Sequence, residues 1–441
     1  MPDSEEGKKG VGLKRELRLI EAVAIGVGTV VGSGVVKLPG VLAGILGASQ
    51  VIAWMTSGVL CILVALCFAK LSSILPKCGG PYVYCSTAFG RLVGFVIAWA
   101  YWIGLTMAIG ALAMFVADSL GIILGFSDPY LMTITALVVI AVLTVFNIVG
   151  VKVSGIVQDI LTVFKVGIWI VFVLFGILAF NPSKVGNVSV PETGALVTAV
   201  LIAIWAYLGF EEITMPAEEM KKPERDIPLA IVITILFATG LYVAVSVIAA
   251  GIIGTSALAS YGSRGVEMAA RALWGEVGGT IFSLFMVFSI AAVMNGVLLS
   301  NSRLLYAFSR DGLLHPKLTE VHEKYRTPWI SILVQSVIAV IVVLSFTTIA
   351  EVLSMIDFVL LVPYVFVSLA LLVLSIKEKT SAPSNFNLPG EKVVALIAFI
   401  FSTILVVKFA LDPAHIKAAA YGLAAIALGL PVYFASKKSR K

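Results

Sequence analysis

The chain has 441 residues, 60% of them hydrophobic and only 13% charged, with a formal net charge of +6. So little charge cannot cover the surface of a soluble protein of this length, which makes the chain a polytopic membrane protein. The alternating apolar-out, polar-in pattern of a membrane β-barrel is absent, leaving an all-α bundle, and the basic excess speaks of membrane topology, not of a nucleic-acid partner.

The N-terminal tail, 1–16, is polar and has no apolar core, so no cleavable signal peptide is expected. Twelve apolar spans follow, at about 17–42, 49–76, 86–120, 129–148, 154–180, 194–214, 228–254, 278–308, 329–347, 350–376, 391–411 and 415–436, and a short tail closes the chain at 437–441. With Met1 placed inside, most of the 31 Lys and Arg fall in inner loops and tails, Lys77, Lys221 and Arg310 among them. Outer segments hold Lys184, Arg264, Arg271, Lys408 and Lys417, while Lys37 and Lys165 lie within spans. By the positive-inside rule both termini are expected in the cytoplasm, in agreement with an even span count.

The first span is poorly composed for a continuous helix. It reads Gly26-Val27-Gly28-Thr29-Val30-Val31-Gly32-Ser33-Gly34 and reaches Pro39 shortly after. Glycine costs roughly 1 kcal/mol against alanine in a helix interior, and proline removes a backbone donor. Gly32-Ser33-Gly34 therefore predicts a break between two half-helices, the second starting at Gly34 with its free N–H groups and positive dipole end turned into the break. Such an end binds anions, a carboxylate for example. Taken alone, the same glycines also suit close helix packing. Lys37, one turn further on, is expected to reach the outer surface.

Cys61 and Cys67 sit in the second span, with Cys78 and Cys85 near the inner loop after it. None faces an oxidising exterior, so no disulfide framework is expected. His315, His322 and His415 are scattered across loops without metal-ligand spacing, and no metal or other cofactor is expected.

Lys165 stands deep in span five, about a dozen residues from its inner end. Snorkelling over that distance is barely feasible, so its ammonium is expected to point into the bundle. Span six then carries a second interruption, Trp205-Ala206-Tyr207-Leu208-Gly209-Phe210-Glu211-Glu212, followed by Pro216. Each carboxylate costs roughly 2.5–3.5 kcal/mol near the bilayer centre. An odd number of spans separates the two breaks, so 17–180 and 194–376 read as two inverted five-span repeats, with two further spans at 391–436. Paired interrupted segments at corresponding positions point to the central site of a transporter.

Three motifs give the chain its likeness to known proteins. They are Gly32-Ser33-Gly34 with Pro39; Gly209-Phe210-Glu211 continuing through Ala217-Glu218-Glu219 to Pro228; and Ser302-Arg303-Leu304-Leu305-Tyr306-Ala307-Phe308-Ser309-Arg310-Asp311-Gly312. Gly79-Gly80-Pro81-Tyr82, after the second span, is similar as well. In these the chain resembles the amino acid–polyamine–organocation transporter superfamily, over about residues 15–376. The resemblance implies a leucine-transporter-like 5+5 core and an amino acid as substrate. Its carboxylate would sit on the N–H groups of Ser33 and Gly34, beside Gly32. Its ammonium would meet carbonyls near Thr29, Val30, Trp205 and Leu208. Trp205 would act as a lid, with Tyr207, Gly209, Phe210 and Glu211 nearby and Tyr101, Trp102 and Asn295 as further lining. Lys165 would occupy the place where sodium-coupled relatives bind their ion, either as a fixed cation or as the site of proton coupling.

The expected function is thus a sodium-independent secondary transporter of L-amino acids in the plasma membrane, working by proton symport or exchange. Neutral substrates are favoured because Lys165 can offset Glu211. A basic amino acid or polyamine antiporter, with Glu211 facing the distal charge, is the alternative, and an ion channel a distant one. An enzyme is not expected, since the spans hold no His/Cys/Asp constellation. Some animal exchangers of the superfamily bind a partner subunit through a cysteine between spans three and four. The loop 121–129 has none, so no disulfide-linked partner is expected.

Overall fold

The structure, a computed structural model, describes residues 15–126, 128–345, 349–378, 386–411 and 416–438. The tails expected at 1–16 and 437–441 lie almost wholly outside these. The helices in chain order are α1 (Leu19–Val30), α2 (Gly34–Leu46), α3 (Gln50–Ile74), α4 (Pro81–Phe89), α5 (Arg91–Leu124) and α6 (Pro129–Val149). They continue with α7 (Val151–Leu178), α8 (Pro182–Val185), α9 (Thr193–Ile204), α10 (Pro223–Ile253), α11 (Thr255–Tyr261) and α12 (Gly265–Arg310). The last are α13 (Trp329–Ser345), α14 (Ile349–Ile376), α15 (Glu391–Leu411), α16 (Ile416–Ala427) and α17 (Gly429–Lys438).

Local sequence explains several boundaries. The Arg18 N–H at the head of α1 donates to Glu21 Oε2 at 2.9 Å, satisfying one of the orphan donors that every helix start leaves. Asp128 Oδ1 accepts from the N–H groups of Tyr130 and Leu131 at 2.7 and 3.1 Å, while Pro129 opens α6 where a missing N–H costs nothing.

Ten helical segments among the described residues are long and apolar enough to cross a membrane, and α1 and α13 are shorter apolar helices. The protein is therefore a multi-pass membrane protein. Large apolar side chains stay exposed at helical spacing on its periphery, as at Val138, Val142 and Val145 of α6 and Ile397, Ile400 and Ile404 of α15. Hydrocarbon, not water, suits such faces. Two segments depart from single spans. The stretch expected at 415–436 is two helices meeting at Leu428, and the connection before span eight is itself helical, α11 and the head of α12 bending at Gly275.

At the centre, α1 and the irregular chain after α9 are held among α3, α7, α10 and α12, with α5 and α14 closing the far side. One end of this core is tied by charge. Glu219 meets Arg303 of α12 through two contacts, Nε to Oε1 at 2.5 Å and Nη2 to Oε2 at 3.1 Å, with both side chains essentially fully buried. Arg303 Nη1 also donates to Leu299 O and Ser302 Oγ. The Glu219 carbonyl accepts the N–H groups of Glu16 and Leu17, and the Lys221 N–H returns a bond to Leu17 O, forming a parallel bridge. Arg310 with Glu218, and Tyr82 Oη with Asp311 Oδ2 at 2.6 Å, extend the same cluster.

Removing one member of a buried pair leaves the other charge uncompensated, at a cost of about 3–5 kcal/mol. Arg303→Met should therefore lower stability by about that amount, and adding Glu219→Leu should recover much of the loss. Denaturant unfolding in detergent micelles measures both. Equal instability of the single and double variants would show that Arg303 acts through packing alone.

Candidate functional site

The first break is three residues long. After Val30 the chain leaves α1, and α2 starts at Gly34 with Ser33 as its N-cap. The N–H groups of Val36 and Lys37 turn back to Ser33 O, at 3.2 and 3.0 Å. Those of Ser33, Gly34 and Val35 have no acceptor among the described residues, although all three residues are buried. Three donors of a helix start thus face inward unpaired.

The second break is longer. α9 ends at Ile204, and three short 3-10 turns follow, Trp205–Tyr207, Phe210–Thr214 and Ala217–Glu219. Between the first two, Leu208 is extended and Gly209 has φ 113°, a left-handed conformation that glycine adopts without penalty. The two breaks touch. A Cβ on Gly34 would lie 2.6 Å from Ala206 Cβ and 3.0 Å from its Cα, too close for any side chain without backbone movement.

Side chains stitch the breaks together through their freed backbone groups. Thr29 Oγ1 lies 2.9 Å from Gly209 O. The Tyr242 hydroxyl of α10 lies 2.9 Å from Val30 O and 2.7 Å from Ala206 O, sharing its one proton between the breaks. Val30 O also accepts the Gly32 N–H at 2.9 Å. The carbonyls of Thr29 and Leu208 carry no such bond among the described residues.

These groups bound a cavity of about 100 Å³. Its wall is formed by Thr29, Val30, Gly32, Ser33 and Gly34 from the first break and by Trp205, Ala206, Leu208, Gly209 and Glu212 from the second. Apolar residues complete it, including Leu105, Ala108, Leu112 and Phe115 of α5, Val293 and Val297 of α12, and Ile356 and Leu360 of α14. Trp205 and Leu208 also line a groove of about 1150 Å³ that runs between α2, α9, α14 and α15. Trp205 and Leu208 therefore stand between the two spaces.

Of the residues named from the sequence, Thr29, Val30, Gly32, Ser33, Gly34, Trp205, Leu208 and Gly209 are in the cavity wall. Tyr207, Glu211, Lys165, Tyr101 and Asn295 stand behind it. Tyr207 donates to Trp54 O at 3.0 Å and packs against Tyr242. Glu211 Oε2 accepts from the Tyr364 hydroxyl at 2.7 Å and from the Gly209 N–H at 3.2 Å. Phe210 packs against Phe68 and Tyr364, and Trp102 is buried against Trp99. Tyr101 donates to Glu212 Oε1 at 3.1 Å, and Asn295 Oδ1 accepts from Asn147 at 3.0 Å. Lys165 is fully buried and donates from Nζ to Gly28 O at 2.8 Å, on the α1 side of the first break. Lys37 does not extend freely outward: it is half-buried, with Nζ 3.9 Å from the centroid of the Phe115 ring that lines the cavity.

Glu212 and Tyr242 are the functional candidates that sequence reasoning passed over. Glu212 was visible as the second of two costly carboxylates, but adjacency gives no hint of which one faces the cavity. A tyrosine in an apolar span has no distinguishing signal. Among the described residues no group of three His, Cys, Asp or Glu could hold a metal ion.

Comparison with known proteins bears on what this arrangement does. The sequence profile of the family described as amino acid permease matches residues 17–430. The serine/threonine exchanger SteT of Bacillus subtilis is 29% identical over 443 residues, covering 97% of this chain and 98% of its own. The branched-chain amino acid permease BcaP of Bacillus subtilis is 26% identical, with 90% and 88% covered. The human b(0,+)-type amino acid transporter 1 is 26% identical, with 90% and 83% covered.

The contact at Gly34 yields a direct expectation. Gly34→Leu should abolish solute binding in the cavity while the protein still inserts, because the added bulk must separate the two breaks or fill the space between them. Trp205→Ala should weaken binding and speed release, since the partition is removed. Equilibrium and dissociation measurements on purified protein check both, and wild-type affinity in a folded Gly34→Leu protein would exclude this cavity as the site.

Proposed function

The chain belongs to the amino acid permease family of the amino acid–polyamine–organocation superfamily, and from that premise we propose that it is a secondary transporter of L-amino acids working by alternating access. The observation that carries this reading is the unpaired N–H groups of Ser33 and Gly34, facing a cavity that also presents unpaired carbonyls. A zwitterion needs both. Its carboxylate sits on the N-terminal end of α2, where N–H groups and the helix dipole act together. Val30 O already accepts two bonds and Trp205 O accepts from the Leu208 N–H, which leaves Thr29 and Leu208 as the better carbonyl partners for the ammonium. Trp205, between the cavity and the wider groove, is the lid.

The topology that supports alternating access has twelve crossings, with 17–180 and 194–376 as inverted repeats and α15 to α17 outside them. The excess of Lys and Arg supports a cytoplasmic Arg303 end, with both termini on the same side. The Glu219–Arg303 and Glu218–Arg310 pairs then form the inner gate, closed here and separating when the site opens inward. Lys165, bonded to a carbonyl of the first break, supplies a fixed cation and argues for sodium independence, with proton symport or exchange as the coupling. The alternative of a basic amino acid or polyamine antiporter assigned the distal charge to Glu211. That carboxyl is held by Tyr364 and Gly209, so neutral substrates have the better support.

Counterflow of labelled amino acids in proteoliposomes tests transport. Uptake should trans-stimulate and should persist when sodium is replaced by choline. Conductance without trans-stimulation would favour a channel. Lys165→Ala separates two roles for that residue. If it couples protons, pH-driven uptake collapses while binding and exchange partly survive; if it is a structural strut, stability and all transport fall together. A sodium requirement in the wild type, with Lys165→Ala behaving normally, would overturn the coupling assignment.

A further inference from the structure

The relatives' names span different side-chain classes, so the substrate's side chain must be read from the cavity. Among the described residues lining it, Glu212 is the only ionisable one. It is completely buried. Its backbone is committed to the 3-10 turn, N–H to Gly209 O and carbonyl to the Met215 N–H, which fixes where its side chain starts. Oε1 accepts from Tyr101, a residue behind the wall, while Oε2 has no hydrogen-bond partner among the described residues. Its neighbour Glu211 also keeps one buried oxygen, Oε1, without a partner among the described residues, but it does not line the cavity, and its Oε2 is engaged by Tyr364 and the Gly209 N–H. Each of the two adjacent carboxyls thus keeps one oxygen without a partner among the described residues, and of the two only Glu212 is in the cavity wall.

We infer that Glu212 is the specificity-determining residue of this site, and that the substrate class is amino acids with a short hydroxyl-bearing side chain, serine and threonine, in preference to their apolar counterparts. The inference rests on the reading of the cavity as an amino acid site. A buried polar atom left without a partner is costly, and a substrate that supplies the partner removes that cost. A hydroxyl is the partner that serves in either protonation state of the carboxyl, donating to a carboxylate and accepting from a carboxylic acid. An ammonium serves only the first state, and an aliphatic group serves neither. Leu105, Val297, Ile356 and Leu360, from α5, α12 and α14, are apolar parts of the same wall and offer no polar contact to a side chain. A cavity of about 100 Å³ also suits a short side chain better than the long stem of lysine or arginine. Sites built around a polar partner reject analogues that lack it far more strongly than apolar pockets reject a missing methylene.

The test compares threonine with valine, which are nearly equal in shape, and serine with alanine, by competition against a bound labelled amino acid on purified protein. Wild type should prefer threonine to valine by at least about tenfold. Glu212→Leu should bring that ratio close to one by losing threonine while keeping valine. Glu212→Gln, whose amide both donates and accepts, should retain the preference. Valine binding as tightly as threonine in wild type, a preference for lysine over threonine, or an unchanged ratio in Glu212→Leu would each overturn the inference while leaving amino acid transport intact. If Glu212→Leu does not fold, the wild-type ratio and the Gln variant still decide. A wild-type protein that binds none of these amino acids would overturn the reading of the cavity itself, and this inference with it.

Discussion

A backbone polar group without a partner is expensive inside a bilayer, and everything at the centre of this protein follows from where such groups are allowed to remain. Two helices, α1 and α9, stop short at the centre of the bundle and expose donors and acceptors. The cost is contained because each break faces the other: Thr29 reaches Gly209 O, Tyr242 lies between Val30 O and Ala206 O, and Lys165 engages Gly28 O. Of the groups not satisfied in this way among the described residues, those of Ser33, Gly34, Thr29 and Leu208 belong to residues of the cavity wall, while Val35 is not part of it. In the function proposed above, a ligand with a carboxylate at one end and an ammonium beside it would supply the partners that the chain withholds.

The close approach that makes this possible depends on very little side-chain volume. Gly34 and Ala206 bring the two breaks into van der Waals contact, and Gly209 turns the second break through a left-handed residue directly beside Thr29. Bulk at these positions would separate the half-helices and open the freed backbone groups to lipid. Small residues and satisfied polar groups are thus parts of one constraint, not two separate features.

The same logic runs to the end of the bundle that carries Arg303. The Glu219–Arg303 pair is buried, bidentate and continuous with the backbone bridge between Leu17 and Met220, so the entry to α1 and the exit from the second break are fastened at one place. Buried ion pairs often add little net stability compared with apolar packing. Under the proposed alternating access, their advantage would be that they can exchange partners for water as a unit. On the side of Trp205 and the Lys37–Phe115 contact, no buried ion pair is found among the described residues.

Composition alone decided that the chain lives in a membrane as helices, because no arrangement of so few charges could solvate its surface. The positions of both breaks were legible too, since glycine and proline act on the local backbone wherever they stand: α2 begins at Gly34, and α9 gives way at Trp205. The burial of Lys165 was readable from its depth in an apolar span. What the sequence could not determine was which of several plausible side chains reaches the cavity. Glu211 and Glu212 are identical residues at adjacent positions, and only the path of the 3-10 turn sends one to Tyr364 and the other to the cavity wall. Tyr207 and Tyr242 are both tyrosines in apolar spans, yet only Tyr242 links the breaks, because α10 carries it to the point where they meet. Helix breaks arise from short-range backbone chemistry and can be read along the chain; the direction a side chain takes across a bundle is set by the packing of distant helices, and that exists only in three dimensions.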